Sequence, residues 1–326
     1  VGDAAPAAWA FAHMRALGKI VIAAALSLCG FFARGQDLSP RAYVITPVNS
    51  NAVNVTYAFN SGGLEFDGAA PITGATAKIN LSIVSYYHAL NFFGRSANVT
   101  ASLPYGLGNF RGTALGAEQH AYRSGLLDSF YRFSVNLIGG PAMRMQEMRT
   151  WKQKRLLGVS FKMVAPTGQY DPTKLLNWGN NRWAFKPEIG FSQRWGHWVL
   201  DTYAGGWFFT TNQEYFSYNR FFPGLRTQSQ SPIAAFEGHL SYDIKPRLWI
   251  SVDGNYWRGG TTSVSGLENP LTVQKNSRVG VTASIPLNKR QALKIAYNNG
   301  AYINYGGNYQ NISVGWQYSW VGLRPH

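Results

Sequence analysis

Apolar and polar residues alternate with a period of two over much of the chain beyond residue 50. Successive side chains of a strand point to opposite faces, so this pattern marks strands with one apolar and one polar side. It predicts strands near 51–59, 77–88, 95–104, 127–138, 154–165, 183–195, 198–210, 233–243, 247–258, 274–285, 292–302 and 309–320. Most of these hold nine to thirteen residues. That length suits the ~9–11 residues with which a tilted strand crosses a bilayer, and it exceeds the ~5–6 usual in globular sheets.

The faces differ in chemistry. Leu157, Val159, Phe161 and Met163 oppose Gly158, Ser160 and Lys162, while Val279, Val281, Ala283 and Ile285 oppose Arg278, Thr282 and Ser284. Lys186, Glu188 and Arg194 oppose Phe185, Ile189 and Phe191. Glu237, His239 and Asp243 oppose Phe236, Leu240 and Tyr242, and Asp253 lies opposite Ile250 and Val252. In a dry core each such charge would need a partner to offset its desolvation, whereas a wet lumen accepts both signs. The expected architecture is therefore all-β: a transmembrane antiparallel β-barrel of about 12 strands, apolar face to lipid and charged face inward. Gly158, Gly190, Gly205, Gly206, Gly254, Gly280 and Gly315 fall inside strands, where glycine permits bends and close approach in a curved sheet.

Connection lengths carry the same message. Short joins at LNFFG, Gly196-His197, Ile244 to Pro246 and Leu287 to Arg290 alternate with longer stretches around 60–76, 105–126, 166–182, 211–232 and 259–273. Outer-membrane barrels place short turns in the periplasm and longer loops outside. Six longer external connections and periplasmic termini follow. Residues 139–153, GGPAMRMQEMRTWKQ, fall on the short-turn side but are long and charged, and they predict a short periplasmic helix after Pro141.

The chain has 11 Trp, 18 Tyr and 19 Phe, which is 15% of its residues, against 14% charged residues. Rings with an apolar body and a wet edge are favoured at membrane interfaces. The first 35 residues predict a cleavable export signal: Met14 opens the basic MRALGK, IVIAAALSLCGFF follows, and Ala33-Arg34-Gly35 suits cleavage before Gln36. Residues 1–13 then precede the true start codon, or translation begins at a GTG read as Val1. The barrel would occupy 36–326. The one cysteine, Cys29, sits in the signal after Leu28 rather than after the small residue that lipid attachment prefers. Of the formal charge of +15, the presequence supplies +2 through Arg15, Lys19 and Arg34 against Asp3. The remaining basic residues are scattered rather than clustered, which argues against nucleic acid as a partner and for outer-membrane lipids, lipopolysaccharide or an anion-leaning lumen.

No catalytic or nucleotide signature is present, and GLGNFRG at Gly106 to Gly112 has the wrong spacing for one. The histidines never reach metal-ligand spacing, so no metal and no cofactor are expected. His239 and Ser241 share a face, as a barrel lipid hydrolase would require, but the apolar Phe236, Leu240 and Tyr242 take the lipid side. A surface adhesin or receptor rests on loop exposure alone. The expected activity is uptake of a small-molecule substrate, without enzymatic chemistry. The lumen-lining candidates are Lys162, Lys186, Glu188, Arg194, Glu237, His239, Asp253 and Arg278.

Three stretches, VAPTGQYDP (Val164 to Pro172), NNRWAFKPEIG (Asn180 to Gly190) and EGHLSYDIKPRLW (Glu237 to Trp249), resemble the bacterial outer-membrane transporter family labelled for the meta-pathway of phenol degradation. The resemblance extends from about Asp37 to Trp320. It implies an outer-membrane barrel that admits hydrophobic or aromatic small molecules, without naming phenol as the substrate. Tyr170 and Asp171 follow the Pro166-Thr167-Gly168 turn, at the pore mouth or anchoring the long loop against the rim. The closing octet SVGWQYSW, Ser313 to Trp320, also resembles the assembly signal of such barrels, with Ser313, Gly315, Tyr318 and Trp320 in the recurring positions. That likeness implies the barrel-assembly machinery as a partner through strand augmentation.

Overall fold

The computed structural model describes residues 38–65, 72–114, 117–174, 176–219 and 223–322. The segment expected to be an export signal, with Cys29, lies outside them. The alternating segments form β1 (Ser50–Glu65), β2 (Ile72–Phe92), β3 (Arg95–Ala114), β4 (Ala117–Leu126), β5 (Phe130–Ile138), β6 (Arg155–Val164), β7 (Ala184–Trp195) and β8 (Trp198–Phe209). They continue with β9 (Gln228–Gln230), β10 (Ile233–Lys245), β11 (Leu248–Gly259), β12 (Thr262–Val264), β13 (Leu267–Asn269), β14 (Gln274–Pro286), β15 (Gln291–Tyr302) and β16 (Gly306–Val321).

Twelve of these strands form an antiparallel ring in chain order, and β16 returns to pair with β1 from Ser50↔Val321 to Glu65↔Gly306. β4 stands outside the count. It and β5 both pair with β3, through Tyr105↔Leu126 and Ser102↔Phe130, so together they are one strand with a jog at 127–129. The short strands β9, β12 and β13 make a separate sheet over the long-loop end. Its connections to the wall include a 3-10 turn at Pro270–Thr272.

The register separates two chemistries. Leu200, Leu240, Val252, Val281, Tyr297 and Ile312 are successive cross-strand neighbours on the outer face. One residue along, Asp201, His239, Asp253, Gly280, Asn298, Asn311 and Asn60 form the matching inner row. Val252 is 64% exposed and His239 1%. A register slip of one residue would bring the charges into lipid, so burial on one side fixes the pairing.

The expected boundaries agree with the wall strands β5 to β8, β10, β11 and β14 to β16 to within three residues, while β1 to β3 run further than expected and the short β9, β12 and β13 fall in stretches read as loops. Much of the stretches 60–76 and 105–126, read as loops from sequence, is strand. The physical reason is an inversion of polarity above the membrane. Lys78 and Asn80 face outward there, while Ala75, Ala77 and Ile79 are buried inward. The expectation of six longer external connections is also corrected: β15 and β16 are joined by three residues, 303–305. Asn276 braces that turn, accepting from the Asn304 amide at 2.8 Å and donating to the Tyr305 carbonyl at 2.9 Å.

At the opposite end the joins are short. Phe93 and Gly94, with φ of 49° and 79°, make the β2–β3 turn, as a right-twisted hairpin requires. The expected helix appears as one turn, α1 (Met145–Met148). Its start is fixed by the Arg144 amide donating to Glu147 Oε2 at 2.7 Å.

Inside the ring, Val164, Ala184, Trp207, Ile233, Ala235, Trp257 and Ile303 pack as an apolar layer toward the long-loop end. The inner face is thus polar at mid-height and carries an apolar layer above, mainly on β6 to β11, beside the polar Gln274, Asn276 and Arg278 of β14, where sequence alternation alone implied polarity throughout. An outward Val252→Arg substitution is expected to destabilise the protein by ~2–4 kcal/mol. The inward Asn54→Arg, facing a cavity, should cost less than ~1 kcal/mol. Denaturant unfolding in lipid vesicles measures both, and equal costs would contradict the assigned faces.

Candidate functional site

Residues 38–49, immediately before β1, run through the bore. From Ser39 to Asn49 the segment passes down the inner wall and then turns into β1 at the short-turn end. Pro40 and Pro47 cannot donate to a ladder, and the segment is held by side chains instead. The Arg41 amide donates to Asp201 Oδ2 at 3.3 Å, its Nε to Ser241 Oγ at 3.2 Å, and its Nη1 pairs with Asp243 at 2.7 Å. The Ala42 amide donates to the Tyr203 hydroxyl at 3.0 Å. Asn136 donates to the Tyr43 carbonyl at 3.1 Å, and Thr46 and Tyr87 share a hydroxyl hydrogen bond of 2.6 Å.

Tyr43 is the anchor. Its ring lies on Gly158 and Gly190, which are cross-strand partners on β6 and β7. A Cβ at either glycine would overlap the ring. Its hydroxyl donates to Glu188 at 3.0 Å and lies 3.1 Å from the Ser160 hydroxyl, and the Arg132 guanidinium stands 4.9 Å above the ring. Burial, reinforced by the Glu188 carboxylate, pushes the hydroxyl up to about 12 from 10.0, so it remains a donor.

The charged groups on the wall form a belt around this segment. Lys186 pairs with Glu188 at 2.7 Å and Glu237 at 2.9 Å. His239 Nδ1 lies 2.8 Å from Asp253, which also accepts from Ser251 at 2.9 Å and Thr282 at 2.6 Å. Lys162 and Lys186 face each other directly across β6 and β7. Like charges so placed repel. Two carboxylates hold Lys186, and Lys162 lies over the rings of Phe130 at 4.8 Å and Trp207 at 5.5 Å. Arg194 pairs with Asp243 at 2.5 Å near the short-turn end. Arg278 donates to Asn298 at 2.9 Å and the Tyr309 carbonyl at 3.0 Å.

Two cavities adjoin the segment. One of about 250 Å³ lies among Ser39, Lys162, Lys186, Glu188 and Glu237. The other, about 820 Å³, opens at the short-turn end beside Arg41, Ile45, Asn54 and Met148. Ala42 bounds both.

All eight lumen-lining candidates occupy the inner face. Lys162, Lys186, Glu188, Glu237, His239 and Asp253 share the belt, while Arg194 lies below it and Arg278 above. Tyr170 and Asp171 are in the β6–β7 connection, tied to the rim. The Tyr170 hydroxyl donates to the Glu214 carbonyl at 3.1 Å and accepts from Asn212 at 2.8 Å, and burial raises its pKa. Asp171 contacts Lys174 at 2.7 Å and Thr173 at 2.6 Å, which hold its carboxyl below the usual range. The same connection grips the β4–β5 jog, where the buried Asp128 accepts from the Gly168 amide at 3.0 Å and the Asn180 amide at 2.9 Å. The octet's Ser313 and Gly315 face inward. Trp316, Tyr318 and Trp320 lie in a column on the opposite face, with successive ring centroids 6.3 and 5.9 Å apart.

Arg41 and Tyr43 escaped the sequence reading, because the segment carrying them has no alternation. One signal was available: Gly158 and Gly190 both fall on the inner face of adjacent strands and leave room for a ring.

The family described as "Putative MetA-pathway of phenol degradation" matches residues 66–297. No curated protein matches the chain in sequence. Among solved structures, the COG4313 outer membrane channel from Pseudomonas putida F1 superposes with a TM-score of 0.73 at 16% identity, covering 87% of this chain and 100% of that one. The beta domain of the Bordetella autotransporter BrkA gives 0.50 at 10% identity, covering 83% and 100%. The transport unit of the Escherichia coli autotransporter AIDA-I gives 0.50 at 10%, covering 91% and 98%. Together with the apolar outer band, these likenesses identify the fold as that of a bacterial outer-membrane barrel.

Gly190→Val should expel Tyr43 and raise single-channel conductance several-fold over the unaltered protein in planar bilayers. An unchanged conductance would show that the segment does not obstruct the bore. Free Tyr43 loses its proton at its ordinary 10.0 but the docked residue holds it to about 12. Docking therefore weakens as pH rises through that window, and conductance should climb there in the wild type and not in Tyr43→Phe.

Proposed function

We propose, for a chain that belongs to the family described as "Putative MetA-pathway of phenol degradation", that it is a passive outer-membrane channel taking up small hydrophobic or aromatic molecules. The observation that carries this reading is the arrangement of the bore. Cavities of about 250 and 820 Å³ meet at one residue, Ala42, of a segment held by side-chain contacts. Displacement of that segment alone would join them. No strand need break, and the wall would keep its backbone hydrogen bonds satisfied in lipid.

Selectivity follows from the layers. A solute entering from the long-loop end meets Trp207, Trp257, Ile233 and Ile303 before the charged belt. An apolar or aromatic body gains by contact with those side chains, while a sugar would lose water there without replacement partners. The solved neighbour from Pseudomonas putida F1 is itself described as an outer membrane channel, which supports the reading.

No chemistry is assigned to the belt. His239 is engaged by Asp253 and Ser241 by Arg41, both within the ring and away from lipid. Proteoliposomes holding the full chain should pass a small neutral aromatic at least tenfold faster than a disaccharide, and Gly190→Val should accelerate both. Failure of either protein to pass any solute would overturn the proposal.

A further inference from the structure

The larger cavity has a lining that the passage of a neutral solute does not explain. Arg41, Arg247, Lys289 and Arg290 reach it, and no carboxylate does among the described residues. Its apolar part comes from Ile45, Met145 and Met148, beside the small core of Ile45, Met143 and Leu156. One side of a single chamber is thus cationic and another is greasy.

The cations are held in place. Arg247 donates to the carbonyls of Asn288 at 2.7 Å and Gln291 at 3.4 Å, tying the β10–β11 turn to the β14–β15 turn. Asn288 in turn accepts from the amides of Arg290 and Gln291 at 2.8 and 2.9 Å, which fixes the backbone that carries Lys289 and Arg290. Deeper in, the Trp249 ring has the Arg41 guanidinium 4.5 Å from its centroid and the Lys294 ammonium at 6.0 Å. Lys294 projects from the inner face one rung above Ala292, the partner of the cavity-lining Gln317.

The positive charge is incompletely answered. Asp243 is shared between Arg41 and Arg194. The Nη2 of Arg41 is buried without a hydrogen-bond partner. Lys294 has no carboxylate within ion-pair distance among the described residues. Arg41 is half-buried, while Arg247, Lys289, Arg290 and Lys294 are exposed to solvent; cations gathered around one concavity with too few carboxylates raise the local concentration of anions.

We propose that this chamber is a binding site for an amphipathic carboxylate, an organic acid with one anionic head and an aromatic or short aliphatic body. The head would meet the cations of Arg41, Lys289 and Arg290, and the body would lie against Ile45, Met145 and Met148. The chamber's volume falls within the range of ~300–1,000 Å³ usual for small-molecule sites. The inference rests on the channel reading and narrows its solutes to acids at the periplasmic mouth.

The test uses the full chain in nanodiscs and compares binding of 4-phenylbutyrate with its neutral twin, 4-phenylbutan-1-ol, by isothermal titration calorimetry. The acid should bind at least tenfold more tightly than the alcohol at low salt. That preference should shrink in 0.5 M NaCl, since ~3 Å of screening length remains near 1 M. It should also fall to threefold or less in Lys289→Gln/Arg290→Gln and in Lys294→Gln, and persist in Lys275→Gln on the outer face. Equal binding of acid and alcohol to the unaltered protein would overturn the proposal, as would a preference that survives all the inner substitutions. Flux of a neutral aromatic through the same proteins separates the two readings. Flux without an acid preference retains the channel and rejects the site, while an acid preference without flux, even in Gly190→Val, retains the site and rejects the channel.

Discussion

No backbone amide can be left bare in hydrocarbon, where each unsatisfied donor or acceptor costs several kcal/mol. This constraint forces the sheet to meet itself. The pairing of β1 with β16, from Ser50↔Val321 to Glu65↔Gly306, closes the last open edge. Everything inside the ring follows from that closure. Once the wall is sealed, the inner residues are shielded from lipid, and charges such as Lys186 and Asp253 are placed where outward positions could not hold them.

Enclosure does not make those charges free. Where packing in the bore removes much of their water, the buried ones must be answered by a neighbour. The inner wall does this mostly in triplets: Lys186 between Glu188 and Glu237 and His239 between Asp253 and Glu237 in the belt, and Asp243 between Arg41 and Arg194 below it. The segment before β1 takes part in the same accounting. Arg41 enters a region that already holds Asp201 and Asp243, and Tyr43 gives its hydroxyl to Glu188. Its docking therefore combines directional polar contacts with burial of the Tyr43 ring on Gly158 and Gly190 and of Ile45 against Met143 and Leu156.

The outer rim follows a different logic. There the conspicuous sequence stretch at Val164 to Pro172 is used for construction. Gly168 and Asn180 converge on Asp128, and Thr167 reaches Ser129, with its hydroxyl accepting from the Ser129 amide at 2.9 Å. These contacts stop the jog between β4 and β5 from leaving open backbone groups at the edge of the membrane. Tyr170 then carries the same brace to the β8–β10 connection through Asn212.

Alternation along the chain was sufficient for the barrel, its approximate strand count and the inward set from Lys162 to Arg278, because period two is a local property and each strand displays both of its faces in its own sequence. It was insufficient where polarity inverts, as at Ile79 and Lys78, since a strand above the membrane follows a different rule from the one within it. Nor did it reveal the apolar layer of Trp207 and Trp257, because an inward residue's neighbours come from strands far away in sequence. The docking of Arg41 and Tyr43 was decided by the tertiary structure alone. It depends on Gly158, Gly190, Asp201 and Asp243, which become one surface only when β6 to β10 curve round the bore, and a local pattern cannot encode a contact between residues more than a hundred positions apart.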